Sequence, residues 1–251
     1  MKTFKAVVVL VLLSLALTPL PAYAIGLEVA AGMWNQSPEG TMAYQQTPMS
    51  LTDDLVYSSK LRAYGRVKID MPLIIPNIYL MATPMSFDGA GNKNAQFSFG
   101  NKTYSSNVPF TSELVLDHYD IALYYGLPFI NLATAKKLNV DAGLNLRVID
   151  LSAKITQGAI SESTSFAIPV PMVYLGAQLK PIDKLSLEAE LRAITYSSNH
   201  YYDLIGRVKY KIFGPAFIAA GYRYEDISID TEDVIASLRF GGPFAEAGVE
   251  F

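Results

Sequence analysis

Lys60–Met71 reads KLRAYGRVKIDM. In an extended chain Leu61, Ala63, Val67, Ile69 and Met71 fall on one face, with Gly65 among them. Lys60, Arg62, Tyr64, Arg66, Lys68 and Asp70 fall on the other. At the 100° step of a helix these charges would scatter round the axis and some would be buried. At the 180° step of a strand they separate completely. The stretch is a strand with one apolar and one charged face. It is also long, since ~5–6 residues is the common strand length and ~9–11 tilted residues cross a bilayer.

The same separation recurs along the chain. In Ile25–Trp34, Ile25, Leu27, Val29, Ala31 and Met33 oppose Gly26, Glu28, Ala30, Gly32 and Trp34. In Leu138–Asp150, Leu144, Leu146 and Val148 oppose Asn139, Asp141, Asn145 and Arg147. Leu185–Tyr196 sets Leu187, Ala189 and Leu191 against Glu188, Glu190 and Arg192. Tyr202–Ile212 sets Leu204, Val208 and Tyr210 against Asp203, Arg207 and Lys209. Tyr119–Leu127 sets Ile121 and Leu123 against Asp120 and Tyr124.

Composition fits a membrane protein of this kind. The 251 residues are 51% hydrophobic and only 17% charged, against about 25% charged in soluble domains. Yet after residue 27 no apolar run approaches the ~20 residues of a membrane helix. With no cysteine there is no disulfide framework, thiolate metal site or cysteine nucleophile. A net charge of −3 without a basic patch argues against nucleic acid.

Residues 1–24 read as a Sec signal peptide. Lys2 and Lys5 precede the apolar Ala6–Leu17, Pro19 and Pro21 break it, and Ala22-Tyr23-Ala24 offers a cleavage site. The mature domain is then 25–251. An export route through an oxidising compartment suits a chain without cysteine.

Hairpin symmetry gives five tips, near Pro48, Lys102, Ala159, Ser198 and Asp233, and so ten strands. Twelve would follow if Asn94–Ser106 entered the membrane; eight is a third count. In the last strand the apolar residues are even-numbered before Gly241-Gly242-Pro243 (Val234, Ala236, Leu238, Phe240) and odd after it (Ala245, Ala247, Val249, Phe251). Such a flip beside glycine reads as a β-bulge. The connections Pro72–Asn77, Pro128–Lys137, Lys180–Lys184 and Phe213–Pro215 are shorter than most tips, which include Asn35–Ser59, Asp88–Ser112 and Ser152–Ala167. Short turns on one side and long extracellular loops on the other is the outer-membrane pattern.

A soluble barrel alternates as well, with its apolar face inward. Three features choose against it. The polar faces carry many charges of both signs. Tyr57, Tyr119, Tyr196, Tyr201, Tyr202, Tyr222 and Tyr224 gather near one rim and Phe129, Phe213 and Phe251 near the other, as aromatic girdles do. The chain also ends on an aromatic residue after an alternating strand.

That end carries a resemblance. Phe251, with Val249, Ala247 and Ala245 at two-residue steps before it, resembles the C-terminal signal read by the outer-membrane barrel-assembly machinery. Gly32-Met33-Trp34, Pro72–Asn77 (PLIIPN), Asp120–Tyr125 (DIALYY), Asp141–Arg147 (DAGLNLR), Pro171–Gly176 (PMVYLG), Gly221–Tyr224 (GYRY) and Gly242–Phe244 (GPF) look like segments of a family of small Gram-negative outer-membrane β-barrels of undefined role. The resemblance implies an up-and-down antiparallel barrel in the outer membrane of a Gram-negative bacterium. Lipids, lipopolysaccharide and, during biogenesis, the assembly machinery would be its partners. It brings no catalytic residues.

With the apolar faces on lipid, the charged faces line the lumen. The expected network is Arg62, Arg66, Lys68, Asp70, Asp120, Asp141, Arg147, Glu188, Glu190, Arg192, Asp203, Arg207, Lys209, Arg223 and Glu225. Glu28, Lys60, Lys211, Arg239, Glu246 and Glu250 lie on the same faces. Isolated charges there are costly, so pairing that plugs the lumen is the structural default. The alternative is a narrow pore for small solutes, with Lys60, Arg62, Arg66 and Lys68 beside Arg207, Lys209 and Lys211 as an anion-selecting stripe.

A lipid hydrolase is a third reading. His118 and Asp120 share a face, and Ser105, Ser106, Ser112, Ser197 and Ser198 are candidate nucleophiles. By parity His118 faces the lumen rather than lipid, so no enzyme is expected; with no Gly-rich phosphate loop and no HExxH motif, no cofactor or metal is expected either. The carboxylates Asp226, Asp230, Glu232 and Asp233 near the fifth tip read as a solvated loop.

Overall fold

The computed structural model describes residues 25–251 except 45–46, 73, 135–136 and 232–233. The proposed signal peptide therefore lies outside the described residues, as do Glu232 and Asp233. Fourteen strands follow in order: β1 (Gly26–Tyr44), β2 (Met49–Ser50), β3 (Lys60–Asp70), β4 (Asn77–Thr83), β5 (Ser86–Gly91), β6 (Phe97–Phe99), β7 (Lys102–Tyr104), β8 (Phe110–Gly126), β9 (Leu138–Gln157), β10 (Ile160–Ile182), β11 (Leu185–Tyr196), β12 (Asn199–Phe213), β13 (Ala216–Asp230) and β14 (Val234–Glu250). One helix, α1 (Pro128–Ala133), sits in the β8–β9 connection.

All of these strands except β6 and β7 share one antiparallel sheet, closed by pairing of β14 with β1. β4 and β5 are two lengths of a single wall strand, interrupted at Pro84-Met85, and both pair with β8. β2 only lines the top of β1. The wall thus has ten strands, the expected number. At the closing seam Phe251 donates its N–H to Leu27 O at 2.9 Å. β6 and β7 form a separate hairpin, so Asn94–Ser106 adds nothing to the wall.

Two sequence expectations change. The ladder of β14 runs without a register shift against β13, from Ala216↔Val249 to Asp230↔Ile235, and keeps one register against β1 on both sides of Gly241. There is no β-bulge at Gly241–Pro243. The even-numbered residues face inward throughout: Leu238 and Phe240 above, Phe244 and Glu246 below, all buried. What flips is the chemistry, because the strand passes from one solvent into another. Below the glycines lipid-facing Ala245, Ala247 and Val249 oppose inward Glu246 and Glu250. Above them Ser237 and Arg239 face out over inward Ala236, Leu238 and Phe240.

The same inversion occurs in β8 and β9. In β9 outward Leu144, Leu146 and Val148 give way to Asp150, Ser152, Lys154 and Thr156, while inward Asn145 and Arg147 give way to Ile149, Leu151, Ala153 and Ile155. In β8 outward Ile121 and Tyr119 give way to Asp117 and Glu113, and inward Asp120 and His118 to Leu116 and Leu114. The first outward charges meet across the ladder: Asp117↔Asp150, Glu39↔Arg239 and Arg239↔Asp226. They mark the upper edge of an apolar belt. From Leu138 to Val148, at ~3.3 Å per residue and ~40° tilt, the belt is about 25 Å tall, as a bilayer-spanning barrel needs.

The second correction concerns the loops. Ser152–Ala167 is not a long loop. β9 and β10 continue their ladder to Gln157↔Ile160 and turn at Gly158-Ala159. The outward residues there are polar enough for water and the inward ones apolar enough for a core. The wall simply keeps going. Asn35–Tyr44 likewise continues the wall, paired with β14 as far as Tyr44↔Val234, and Asp88–Gly91 stays paired with β8. The segments beyond them fold inward, placing Leu51, Leu55, Phe97, Phe99 and Tyr104 in an apolar core with Phe87, Leu114, Ile155 and Phe240. Phe87 stacks on Phe240 with ring centroids 5.4 Å apart. Above the belt the protein is a water-facing barrel with an oily interior; within it, the reverse.

The rim aromatics divide accordingly. Tyr119, Tyr196 and Tyr222 are exposed at the upper rim, and Phe129, Phe213 and Phe251 at the lower. Tyr57 and Tyr201 are buried instead, Tyr57 in the apolar core and Tyr201 in the lumen beside Arg147.

Candidate functional site: the filled lumen

Within the belt, side chains from nearly every wall strand converge on the axis. Alternation delivers them. Each strand contributes every second residue to the interior, and in antiparallel neighbours those residues sit at the same level. Two ion-pair clusters result.

The upper cluster lies under the apolar core. Arg147 donates to Asp120 through Nε (2.9 Å) and Nη2 (3.0 Å) and also pairs with Asp203. Arg223 bridges Asp203 (2.8 Å) and Glu225 (2.6 Å), and its Nη1 donates to Thr83 at 2.9 Å. Arg192 reaches Asp203 at 3.7 Å. His118 is enclosed: Nδ1 lies 3.1 Å from Leu116 O, and Nε2 3.1 Å from Arg223 Nη2 and 3.3 Å from Glu225. Trp34 caps the cluster. Its ring lies 4.7 Å from the Arg223 guanidinium, and its Nε1 donates to Gly242 O at 3.2 Å.

The lower cluster joins this one through Arg192, whose Nη2 is 3.3 Å from Glu190. Arg66 pairs with Glu28 and, at 2.7 Å, with Glu246. Arg207 contacts Glu190 (3.2 Å), Glu188 (3.5 Å) and Glu246 (3.7 Å). Lys68 holds Glu190 at 2.9 Å. Lys209 holds Glu28 and Glu188, both at 2.9 Å, and Glu250 at 3.1 Å; Lys211 completes Glu250 at 3.2 Å.

The charges balance in each cluster. Above, Arg147, Arg192 and Arg223 face Asp120, Asp203 and Glu225. Below, Arg66, Lys68, Arg207, Lys209 and Lys211 face Glu28, Glu188, Glu190, Glu246 and Glu250. Aromatic rings fill the space between. Arg192 lies over Tyr79 (4.8 Å) and Tyr174 (5.4 Å), Arg147 over Tyr201 (4.7 Å), and Lys209 over Phe217 (5.1 Å). Eight strands enclose an interior just filled by side chains. In ten, long arginines laid against rings fill the added width.

Twelve of the fifteen expected network residues thus come together. The other three stand apart. Arg62 donates to Ser86 O at 2.9 Å. Asp70 accepts from Tyr124 at 3.5 Å and Asp141 from Asn139 at 3.1 Å; both border a vestibule of about 130 Å³ at the lower mouth. Two residues expected on the lumen face are not in it. Lys60 pairs with the exposed Asp88, and Arg239, 54% exposed, lies 3.8 Å from Asp226 on the outer wall. Arg239 stands above the inversion, where the polar face is the outer one; Lys60 stands at the upper end of β3, opposite Gln36.

Sequence reading missed Tyr79, Tyr174 and Phe217 as lumen residues. Their strands carry apolar residues on both faces (NIYLMAT, PMVYLG, AFIAAG), which hides the alternation. Ser112 faces inward six residues above His118 on the same strand, about 20 Å along it at ~3.4 Å per residue, and apolar Leu114 and Leu116 lie between.

No family model and no curated protein sequence matches the chain. Among solved structures, the outer membrane protease OmpT from Escherichia coli matches with a TM-score of 0.53 at 10% identity, over 90% of this chain and 96% of that one. The translocator domain of the autotransporter NalP from Neisseria meningitidis gives 0.44 at 11% identity, over 100% and 96%. Ail, the attachment invasion locus protein of Yersinia pestis, gives 0.35 at 8% identity, over 91% and 100%. The fold is that of outer-membrane β-barrels, here with ten strands.

Proposed function

We propose that this chain is a closed, non-conducting barrel of a Gram-negative outer membrane, with a structural or surface-binding role exercised at its outer rim. The filled lumen carries the reading: a charge-neutral network through the belt, capped by an apolar core of inward-folded tips. An ion crossing it would have to break several buried pairs and then traverse the oily cap, and hydrophobic constrictions of that kind exclude ions. The apolar belt and its flanking aromatics support the membrane placement. In this proposal Sec exports the chain, residues 1–24 are removed, and the assembly machinery reads Phe251, Val249 and Ala247. Outer-membrane lipids and lipopolysaccharide surround the finished barrel, and it performs no catalysis.

Planar-bilayer recording of the purified barrel tests the closed lumen. Stable insertion without steady conductance is expected. A reproducible ohmic step at both polarities would replace this reading with the narrow pore.

A further inference from the structure

The wall is not joined to the same height all round. β10 pairs with β9 along nearly its whole length, from Ile160↔Gln157 to Leu179↔Leu138. With β11 it pairs only from Val173↔Ala193 downward. β11 itself runs on to Tyr196, paired with β12 to that point. Between Met172 and Ile194 the two strands therefore part, among the described residues, while both continue. The break coincides with Pro169 and Pro171. Proline has no N–H to offer a neighbour, and within sheets it is confined to edges and bulges.

A cleft of about 400 Å³ opens at this break, within the ~300–1,000 Å³ range of small-ligand sites. It touches outward-facing Leu144, Val173 and Ala193 and also inward-facing Asn145 and Met172. The cleft is open toward the outside of the barrel, with both edges of the break in its lining. Its level is fixed by register. Leu144↔Val173 lies six residues below Asp150↔Ala167, inside the apolar belt. The surroundings are hydrocarbon.

One buried acceptor at the break has no partner among the described residues. Asn145, 2% exposed, gives its Nδ2 to Asp120 at 2.7 Å, while its Oδ1 finds no partner among the described residues. The prolines remove N–H groups and leave carbonyls. In lipid, an unmatched backbone group is costly and calls for a partner. An apolar cleft facing hydrocarbon, with proline carbonyls and one unmet side-chain acceptor, Asn145 Oδ1, at the break, is complementary to an alkyl chain that carries a donor.

We propose that the β10–β11 seam holds the acyl chain of an outer-leaflet lipid, the tail against Leu144, Val173 and Ala193, and a hydroxyl or amide N–H of the chain donating at the break. This rests on the outer-membrane placement proposed above. The test is photo-crosslinking of the purified barrel in bilayers containing a diazirine-tagged acyl amide, with and without a hydroxyl on the chain, followed by peptide mapping. Flotation reports insertion separately. The expected result is adducts concentrated on Leu144, Pro171–Val173 and Ala193–Thr195. The hydroxylated probe should be favoured by about tenfold, the scale of one hydrogen bond satisfied in a dry site.

Ala193→Phe, which fills the cleft, and Pro169→Val/Pro171→Val, which restores the missing donors, should each abolish that enrichment while insertion persists. Even labelling round the belt, equal labelling by the two probes, or enrichment that survives both variants would overturn the seam while leaving the membrane placement intact. Failure to float with the bilayer would overturn both.

Discussion

Arg147→Met is the perturbation that most directly probes the filled lumen. Arg147 is fully buried, forks onto Asp120, pairs with Asp203 and reaches Glu225 at 3.6 Å. Methionine preserves much of its packing against Tyr201 but removes the charge. Asp120, Asp203 and Glu225 then share two arginines, Arg192 and Arg223, in place of three. One carboxylate is left buried without compensation. Removing one partner of a buried pair costs about 3–5 kcal/mol, and the size of this cluster places Arg147→Met in that range. The protein supplies its own probe: Trp34, the single tryptophan, lies buried against Arg223. Urea unfolding from lipid vesicles, followed by Trp34 emission, would give the midpoint and slope. Arg239→Met is the control, because its side chain is 54% exposed and 3.8 Å from Asp226; it should cost no more than ~1 kcal/mol. Adding Asp120→Asn to Arg147→Met restores charge balance and should recover about 1–3 kcal/mol of coupling. An Arg147→Met variant as stable as Arg239→Met, or a double variant merely additive, would refute a dry, paired lumen in favour of a hydrated one.

Three further outcomes follow from the inversion and the packing. Ile121→Arg should cost ~2–4 kcal/mol in vesicle unfolding and Thr111→Arg, outward on the same strand but above the belt, close to nothing; equal costs would remove the boundary drawn at Asp117. Phe240→Ala should cost ~3–5 kcal/mol, as for a large aromatic in a packed core, whereas a loss below ~1 kcal/mol would mean that the upper interior is open to water. Gly242→Val should abolish the compact, heat-modifiable band on electrophoresis, because a Cβ at Gly242 would run into the Asn35 carbonyl across the β1–β14 seam; a normal band would show that the seam can spread.

The wall was legible in the sequence wherever one face was charged. Lys60–Met71 and Leu185–Tyr196 separate cleanly because lipid and a salt-bridged lumen make opposite demands on alternate residues. The strand count follows from hairpin symmetry for the same reason. Partnership was not legible. Arg66 and Glu246 lie 180 positions apart and are brought to 2.7 Å by barrel closure alone. Neither were Tyr79 and Tyr174, whose neighbours are apolar on both faces. Lys211 and Glu250 at the lower mouth illustrate the intermediate case: parity assigned the side chains to the lumen, but only the register of β12, β13 and β14 sets their contacts.

Reading the flip at Gly241–Pro243 as a bulge followed from assuming a single solvent outside the barrel. A bulge reverses which residues face inward and leaves the chemistry of each face unchanged. An unbroken ladder through two solvents does the opposite: orientation is constant and each face changes character. The two cases look identical in one strand. They are distinguished by neighbours, because a bulge is local to one strand, whereas a solvent boundary must cross adjacent strands at matched register. Asp117↔Asp150 and Glu39↔Arg239↔Asp226 meet that condition on opposite parts of the wall. The charged lumen and the oily cap are then consequences of one boundary. Below it, lipid takes the apolar residues and leaves charge inside to pair. Above it, water takes the polar ones and leaves a core that closes the channel.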